Sequence, residues 1–262
     1  MTALEADEIV GYRMGSQRIC GAIGIAPEEA VHTLGALQAQ DYGAALWAIG
    51  LRSRPDTTKS DVEDAISKKK IVRTWLMRGT IHFASSLDVR WMAGLLAPRL
   101  INIARQRDRG LGLSDAVVES VKSMFYEALK GGKMLSREEM YAILKKCGIP
   151  KKDNLGYHML YRAAWDGLIC FGPNDGKSPT FTLLDEWVGK ETRLEGDKAV
   201  EELALRYFSS HGPATIKDFI WWSGLKASDT KLAISKLGSK LKEEVINGTT
   251  YRMLSRKPLS FR

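Results

Sequence analysis

A repeated order of helical segments followed by two strand-like segments constrains the fold of this chain more than any other feature. It is clearest after Ser114, an N-cap residue in front of an amphipathic run that stops at Gly131-Gly132. The capping box Ser136–Glu139 then begins a second helix. A third helix is predicted from about Leu155 to Gly167.

Two strand-like segments follow these helices, Leu168–Phe171 and Thr180–Leu183, with a loop rich in glycine and proline between them. Three helices and a hairpin in this order are typical of a winged helix-turn-helix unit. We therefore predict such a unit over residues 113–190.

The same order returns in residues 191–262, and such internal similarity supports both predictions. Helices are predicted over 198–208, 215–224 and 228–237. The dipeptide Asn247-Gly248 then separates two strand-like segments, which is a strong signal for a tight hairpin.

Residues 1–112 follow the pattern more loosely. Helices are predicted near 8–22 and 27–37, a capping box at Ser60 begins another, and two strand-like segments flank Arg78-Gly79. The chain as a whole is thus predicted to be mostly α with small β-hairpins, an α+β fold of three tandem winged helix-turn-helix units.

The balance of charges favours a polyanionic partner. The chain has 39 Lys plus Arg against 31 Asp plus Glu, a formal net charge of +8. Nucleic acid is the commonest partner of a protein with this charge, although the same charge can simply aid solubility.

Several classes of protein are disfavoured by what the sequence lacks. The cysteines Cys20, Cys147 and Cys170 have neither CxxC nor metal-type spacing, so we expect a reduced protein without disulfide or zinc. Phosphate-loop, dinucleotide-binding and serine-hydrolase motifs are missing, and no cofactor is predicted. The N-terminus does not read as a signal peptide, and no apolar run approaches a membrane span, so a soluble, cytoplasmic protein is expected.

Two glutamines one residue apart, Gln38 and Gln40, follow an apolar helical stripe that includes Leu34 and Leu37. The stripe predicts that Gln38 lies near the end of a helix. If the helix continues, the two side chains point about 200° apart, whereas an extended segment turns both to one side, where they could hold a single water or base. The alternative is that they cap the helix end or bond to backbone groups.

In a helix-turn-helix unit the third helix or the wing contacts DNA, so basic residues in these places are candidates for phosphate contact. A solvated surface is the alternative for each, and for Lys68–Lys70 the helix dipole offers a local explanation. The candidates are Lys68, Lys69, Lys70, Arg73, Arg78, Arg99, Arg105, Arg107, Arg109, Lys151, Lys152 and Lys177.

His82 belongs to the return strand of the first hairpin, where it shares a face with Thr80. If the opposite face, with Ile81 and Phe83, is buried, His82 faces solvent or a groove and can contact DNA. A structural hydrogen bond is the alternative, and none of the four histidines has metal-ligand spacing, so no metal site is predicted.

Three stretches taken together, Leu37–Asp41, Arg73–Phe83 and Arg206–Leu225, resemble the AlkZ-like winged-helix DNA glycosylases. The resemblance spans roughly Arg18 to Leu254 in the same order. Members of that family consist of tandem winged helices and excise N-alkylated bases, and some unhook interstrand crosslinks. Their catalytic signature is Gln-x-Gln, so the resemblance implies that Gln38 and Gln40 are catalytic, and that the partner is duplex DNA carrying alkylated bases or crosslinks.

This chemistry suits two amides. A guanine alkylated at N7 is already cationic and leaves without protonation, so the enzyme need mainly place a water and stabilise an oxocarbenium-like state. A glutamine carbonyl can accept a hydrogen bond from that water, and the amide NH₂ can orient a phosphate or base. Asp41 is adjacent but ranks below both glutamines, because neighbouring side chains usually diverge.

The resemblance therefore implies a monofunctional DNA glycosylase, a hydrolase of DNA repair. Lys69, Lys70, Arg73, Arg78 and His82 are the predicted DNA-binding residues. Family members usually continue into a β-rich C-terminal domain, which we expect to be absent here because the chain ends at Arg262. The alternative is a non-enzymatic winged-helix protein that binds DNA or has a regulatory role.

Overall fold

The computed structural model describes residues 6–20, 24–149, 154–189 and 194–254. The helices are α1 Ala6–Ser16, α2 Pro27–Leu34, α3 Tyr42–Gly50, α4 Lys59–Ser67, α5 Val89–Gly110, α6 Asp115–Leu129, α7 Arg137–Lys146, α8 Leu155–Trp165, α9 Leu184–Val188, α10 Gly196–His211, α11 Ile216–Ser223 and α12 Ala227–Leu237. The strands are β1 Ala36–Gln38, β2 Ile71–Trp75, β3 Ile81–Ser85, β4 Leu135–Ser136, β5 Ile169–Phe171, β6 Thr180–Leu183, β7 Leu241–Ile246 and β8 Thr249–Leu254.

The fold is mostly helical with small antiparallel sheets, which confirms the predicted α+β class. Its described residues separate into two compact units. The first contains the residues up to Leu37, then Asp41–Val62, and those from Leu194 onward; the second contains Gln38–Gln40 and the residues from Glu63 to Gly189. No helix in the described part of the chain is long and apolar enough to cross a membrane.

The sheet of the second unit has the strand order β1-β3-β2-β5-β6-β4. Strands β2 and β3 pair antiparallel with Arg73 opposite Phe83, and β2 also pairs with β5 through Arg73 and Phe171. Every residue of β2 and β3 is buried, because both faces of this part of the sheet are covered. Trp75 anchors the core here, with its ring stacked on Phe171 at 4.6 Å between centroids.

The predicted caps of the second unit are present. Ser114 accepts a hydrogen bond from the Val117 amide at the start of α6, and Ser136 and Glu139 form the capping box of α7. Three helices, α6, α7 and α8, then precede the β5-β6 hairpin in the predicted order, with the short β4 and α9 in addition. The interpretation of this segment as a winged-helix unit stays a prediction, as do the boundaries 1–112, 113–190 and 191–262.

The C-terminal part of the first unit also keeps the predicted order, with α10, α11 and α12 before the hairpin β7-β8. Asn247 and Gly248 both have positive φ, 49° and 74°, as a tight two-residue hairpin turn requires. Tyr207 of α10 packs on Phe219 of α11, with ring centroids 5.1 Å apart. The N-terminal helix α1 joins the same unit, since Arg13 donates to the Pro213 carbonyl at 2.8 Å.

Two predicted helix ends in the N-terminal part differ from the structure. Helix α1 ends at Ser16, and the end predicted near residue 22 lies outside the described residues. Helix α2 ends at Leu34, so the helix predicted to reach Leu37 is wrong over its last residues. Gly35 follows with φ 78°, and its amide bonds back to the His32 carbonyl, which closes the helix.

Candidate active site

Helix α2 ends at Leu34, so Gln38 lies at the end of strand β1, Ala39 lies outside regular structure and Gln40 lies in a bend. Gln38 and Gln40 are exposed, whereas Ala39 between them is fully buried. Successive residues of an extended chain point to opposite sides, and residues two apart point to the same side. The exposure of both glutamines on either side of the buried Ala39 is compatible with a paired site.

The hydrogen bonds around Ala39 depart from a regular antiparallel ladder. The Ala39 amide donates to the Ile81 carbonyl at 2.8 Å. In a regular hydrogen-bonded pair the Ile81 amide would donate in return to the Ala39 carbonyl. Here Arg73 donates to the Ala39 carbonyl instead, from Nε at 3.2 Å and from Nη2 at 2.8 Å. The Ile81 amide donates to Gln40 Oε1 at 3.4 Å.

This exchange of partners orients the Gln40 amide. A backbone N–H requires an acceptor, so the atom that faces Ile81 must be the oxygen of the amide and not its nitrogen. The NH₂ group of Gln40 is then the end that is turned away from Ile81. Gln40 is thus suited to donate hydrogen bonds through its NH₂ group.

Arg73 was predicted to contact DNA, but its side chain lies inside the protein. It is 8% exposed, and its guanidinium lies 4.7 Å from the centre of the Phe171 ring. The contact it makes is with the carbonyl of Ala39, between the two glutamines. Sequence reasoning missed this because the pairing of β2 with β5 joins residues that are far apart in the chain.

The expectation that His82 faces solvent or a groove is wrong. His82 is 2% exposed, because both faces of β3 are covered. Its Nδ1 lies 2.9 Å from the Thr80 carbonyl, which is an acceptor, so the proton is on Nδ1. Burial lowers the pKa of His82 to about 4, with the Arg78 charge as a smaller contribution in the same direction, and the ring is neutral at pH 7.

The turn between β2 and β3 presents Arg78. This residue is exposed and has φ 55°, in the left-handed region. Gly79 next to it has φ 74° and lies against Trp165, where an added Cβ would come within 2.7 Å of the indole. The turn therefore requires glycine at position 79, and it leaves the Arg78 side chain at the surface.

The basic residues after α4 are exposed at the surface of the second unit. Lys69 has φ 62°, and its Nζ donates to the Glu186 carbonyl at 3.2 Å and lies 4.8 Å from the Trp187 ring centre. The adjacent Lys70 is also exposed. The predicted DNA contacts of Lys69, Lys70 and Arg78 are therefore compatible with where these side chains lie.

The remaining candidates occupy other parts of the molecule. Asp41 caps α3, with Oδ1 accepting from the Ala44 amide at 2.9 Å, which is a structural task. Lys151 and Lys152 lie outside the described residues. The described part of the chain holds no group of three or more histidine, cysteine or acidic side chains that could bind a metal ion. The further basic candidates are exposed: Lys68, Arg99, Arg105, Arg107, Arg109 and Lys177.

Comparisons with known proteins agree with one another. A family model described as DNA glycosylase AlkZ-like matches residues 31–259. The interstrand DNA cross-link repair glycosylase of Streptomyces sahachiroi is 27% identical over 252 residues, an alignment that covers 92% of this chain and 67% of that protein. The solved structure of Streptomyces sahachiroi DNA glycosylase AlkZ matches the fold with a TM-score of 0.81 at 22% identity, covering 97% of this chain and 71% of that one.

Proposed function

Because the chain belongs to the AlkZ-like DNA glycosylase family, we propose that it hydrolyses the N-glycosidic bond of N-alkylated, cationic bases in duplex DNA, with Gln38 and Gln40 as the catalytic pair. One observation supports the assignment of the site. The two glutamines are exposed on either side of a buried Ala39, whose carbonyl accepts hydrogen bonds from Arg73.

The two amides take different roles in this proposal. Gln40 binds the Ile81 amide through Oε1, so its NH₂ donates to a phosphate or to the leaving base. Gln38 accepts a hydrogen bond from the attacking water through its carbonyl. The water oxygen bonds to C1′ of the sugar as the glycosidic bond breaks, the bonding electrons neutralise the departing base, and the water proton passes to solvent.

This mechanism favours cationic bases. An amide cannot act as a base near neutral pH, so the reaction depends on a leaving group that needs no protonation. His82 would be a poor acid for a neutral base, since its pKa of about 4 leaves it unprotonated at pH 7. We propose that alkylated purines with a positive charge are excised and that neutral damaged bases are poor substrates.

Crosslinked duplex DNA is a second proposed substrate, in line with the name of the Streptomyces sahachiroi relative as an interstrand cross-link repair glycosylase. An N-alkyl interstrand crosslink is a pair of alkylated bases, so hydrolysis at one of them separates the strands. We place the protein in the cytoplasm, with chromosomal DNA as its substrate. The helices and hairpins described above act in this proposal as tandem winged-helix units.

Phosphate contacts are assigned to the exposed cations Lys69, Lys70 and Arg78. Arg73 acts in this proposal as a buried support of the glutamine segment through the Ala39 carbonyl, whereas His82 bonds to the Thr80 carbonyl beside β3. The exposed side chains hold the duplex, and Arg73 holds the glutamine segment.

The test is single-turnover excision from a duplex with one N7-methylguanine, read as abasic sites. Gln38→Ala and Gln40→Ala should each slow excision by about a hundredfold or more, the scale of losing one positioned hydrogen-bond group. Gln17→Ala, which removes a different amide in the first unit, should excise at the parental rate. Salt-sensitive DNA binding with no excision by the parent protein would instead support the binding-only alternative.

A further inference from the structure

We infer that the C-terminal half of α5 forms a second DNA-binding surface, which contacts backbone phosphates of the duplex through an arginine-rich face. The inference rests on the proposed function only in taking duplex DNA as the partner. The residues concerned lie between Arg99 and Gly110, in the second unit. Pro98 precedes them within the helix.

The exposed face of this segment carries only cationic and neutral polar side chains, apart from Ile103. The arginines are all exposed, and the polar residues between them can also donate to phosphate oxygens. Arginine suits this task because its planar guanidinium can donate two parallel hydrogen bonds to a phosphate. Helical spacing places Arg99, Asn102, Arg105, Gln106 and Arg109 along one exposed stripe, whereas the exposed Arg107 points about 160° away from Arg105 and Arg109.

The one acidic residue of the segment, Asp108, is turned into the protein. It is 2% exposed, hydrogen-bonded to His158 Nε2, and its other oxygen lies 3.9 Å from Arg162 Nε. Its carboxylate therefore does not weaken the outward positive field. Arg99 and Arg109, the ends of the stripe, are ten residues apart, about 15 Å of helix, and a duplex of that length carries roughly nine phosphate charges.

The same buried contacts hold this half of the helix in place. His158 on α8 is fully buried and joins both Asp108 and the hydroxyl of Tyr161. Arg162 on the same helix also donates to the Ile101 carbonyl at 3.4 Å. The arginine face is thus presented by a helix that is anchored on its opposite side, so less conformational entropy is lost when it binds.

A local explanation exists for part of this charge. Arg107 and Arg109 lie in the last turn of α5, where the helix dipole favours cations. That explanation does not cover Arg99 and Arg105, which lie earlier in the helix. The two explanations also differ in a measurable way, because only phosphate contact changes the salt dependence of DNA binding.

The experiment compares the full-length protein with the triple variant R99Q/R105Q/R109Q, which removes the three arginines of the stripe. Binding to an undamaged duplex is measured by fluorescence anisotropy over a series of salt concentrations. We expect the slope of log K against log salt to become shallower by about 2 to 3, and binding at 0.1 M salt to weaken at least tenfold, about 0.9 slope units being lost for each phosphate. Circular dichroism and thermal unfolding check that the variant is folded.

The matched control is K133Q/K145Q/K146Q, which removes three exposed positive charges elsewhere in the second unit. It should keep most of the parental slope. Equal effects in both variants would overturn the proposal, because binding would then follow net charge alone. An unchanged slope in the arginine variant would overturn it as well.

This outcome is separate from that of the catalytic proposal. A parent protein that fails to excise but loses its salt slope in the arginine variant would contradict the glycosylase assignment and support the α5 surface. If the parent protein excises the base and the arginine variant keeps the parental salt slope, the glycosylase assignment is supported and the α5 surface is contradicted.

Discussion

Replacing Arg73 by methionine tests whether the glutamine segment depends on its buried support. The variant keeps an unbranched stem beside Phe171 and removes both donors to the Ala39 carbonyl, at 3.2 and 2.8 Å. Each lost hydrogen bond from a charged donor contributes about 1.5 to 3 kcal/mol, and a bond from the Ile81 amide to the Ala39 carbonyl offsets part of this loss. The desolvation of the guanidinium is relieved in return, so we expect a net loss of about 2 to 3 kcal/mol.

This loss has a specific structural route. Without Arg73, the Ile81 amide can form the regular ladder bond with the Ala39 carbonyl, which releases Gln40 Oε1. The amide of Gln40 then loses its fixed orientation. If the full 2 to 3 kcal/mol is added to the activation free energy of excision, the rate falls by about 30- to 150-fold, since each 1.4 kcal/mol is a factor of about ten.

The assay is single-turnover excision at saturating protein, with DNA affinity and the free energy of unfolding measured in parallel. Leu129→Ala is the control, since it truncates a fully buried side chain of α6 and should cost about 2 to 5 kcal/mol of stability without touching the glutamine segment. Arg73→Lys should recover part of the rate, because it keeps one cationic donor. Equal losses of excision in Arg73→Met and Leu129→Ala at equal stability would refute the positioning role.

Two further predictions concern stability, and denaturant unfolding measures both. Gly79→Ala should destabilise the protein by about 1 to 3 kcal/mol, because φ is 74° and the new Cβ would meet Trp165 at 2.7 Å. Gly94→Ala should stabilise it slightly, because Gly94 lies inside α5 with open space around it. Equal effects of the two substitutions would contradict the argument. Burial lowers the pKa of His82 and of His211 from 6.5 to about 4, so between these pH values the unfolded state binds protons that the folded state does not. The protein therefore keeps its full stability above pH 6.5 and loses stability as the pH falls toward 4. At pH 5 we expect His82 to lower the free energy of unfolding by about 2 kcal/mol relative to neutral pH, and the partly exposed His211 to lower it by less. If a His82→Gln variant lost as much stability in acid as the parent, this assignment would be wrong.

Local signals in the sequence predicted much of the secondary structure. Ser114 and Ser136 begin helices in the structure as their capping patterns indicated, and Asn247-Gly248 forms the tight turn. The helix predicted to start at Thr215 also begins there. These signals are readable because each hydrogen bond joins residues three or four positions apart. The family could also be read from three stretches of sequence, and the match over residues 31–259 confirms it.

The sequence left two alternatives for the segment of Gln38 and Gln40, a continuing helix or an extended stretch that would turn both side chains to one side. The apolar stripe through Leu37 favoured a helix, but Gly35 ends α2 and β1 takes a place beside β3. A local pattern could not decide between the two, because the partner strand lies some forty residues later.

Tertiary structure alone decided which side chains near the glutamines are buried. From the sequence, Arg73 and His82 were expected to face DNA, on the assumption that the hairpin β2-β3 has one exposed face. In the structure β5 pairs with β2 and both faces are covered, so Arg73 and His82 became internal supports. The sequence determined the local elements and the chemistry they carry, and burial depended on contacts between residues about a hundred positions apart, which no local pattern encodes.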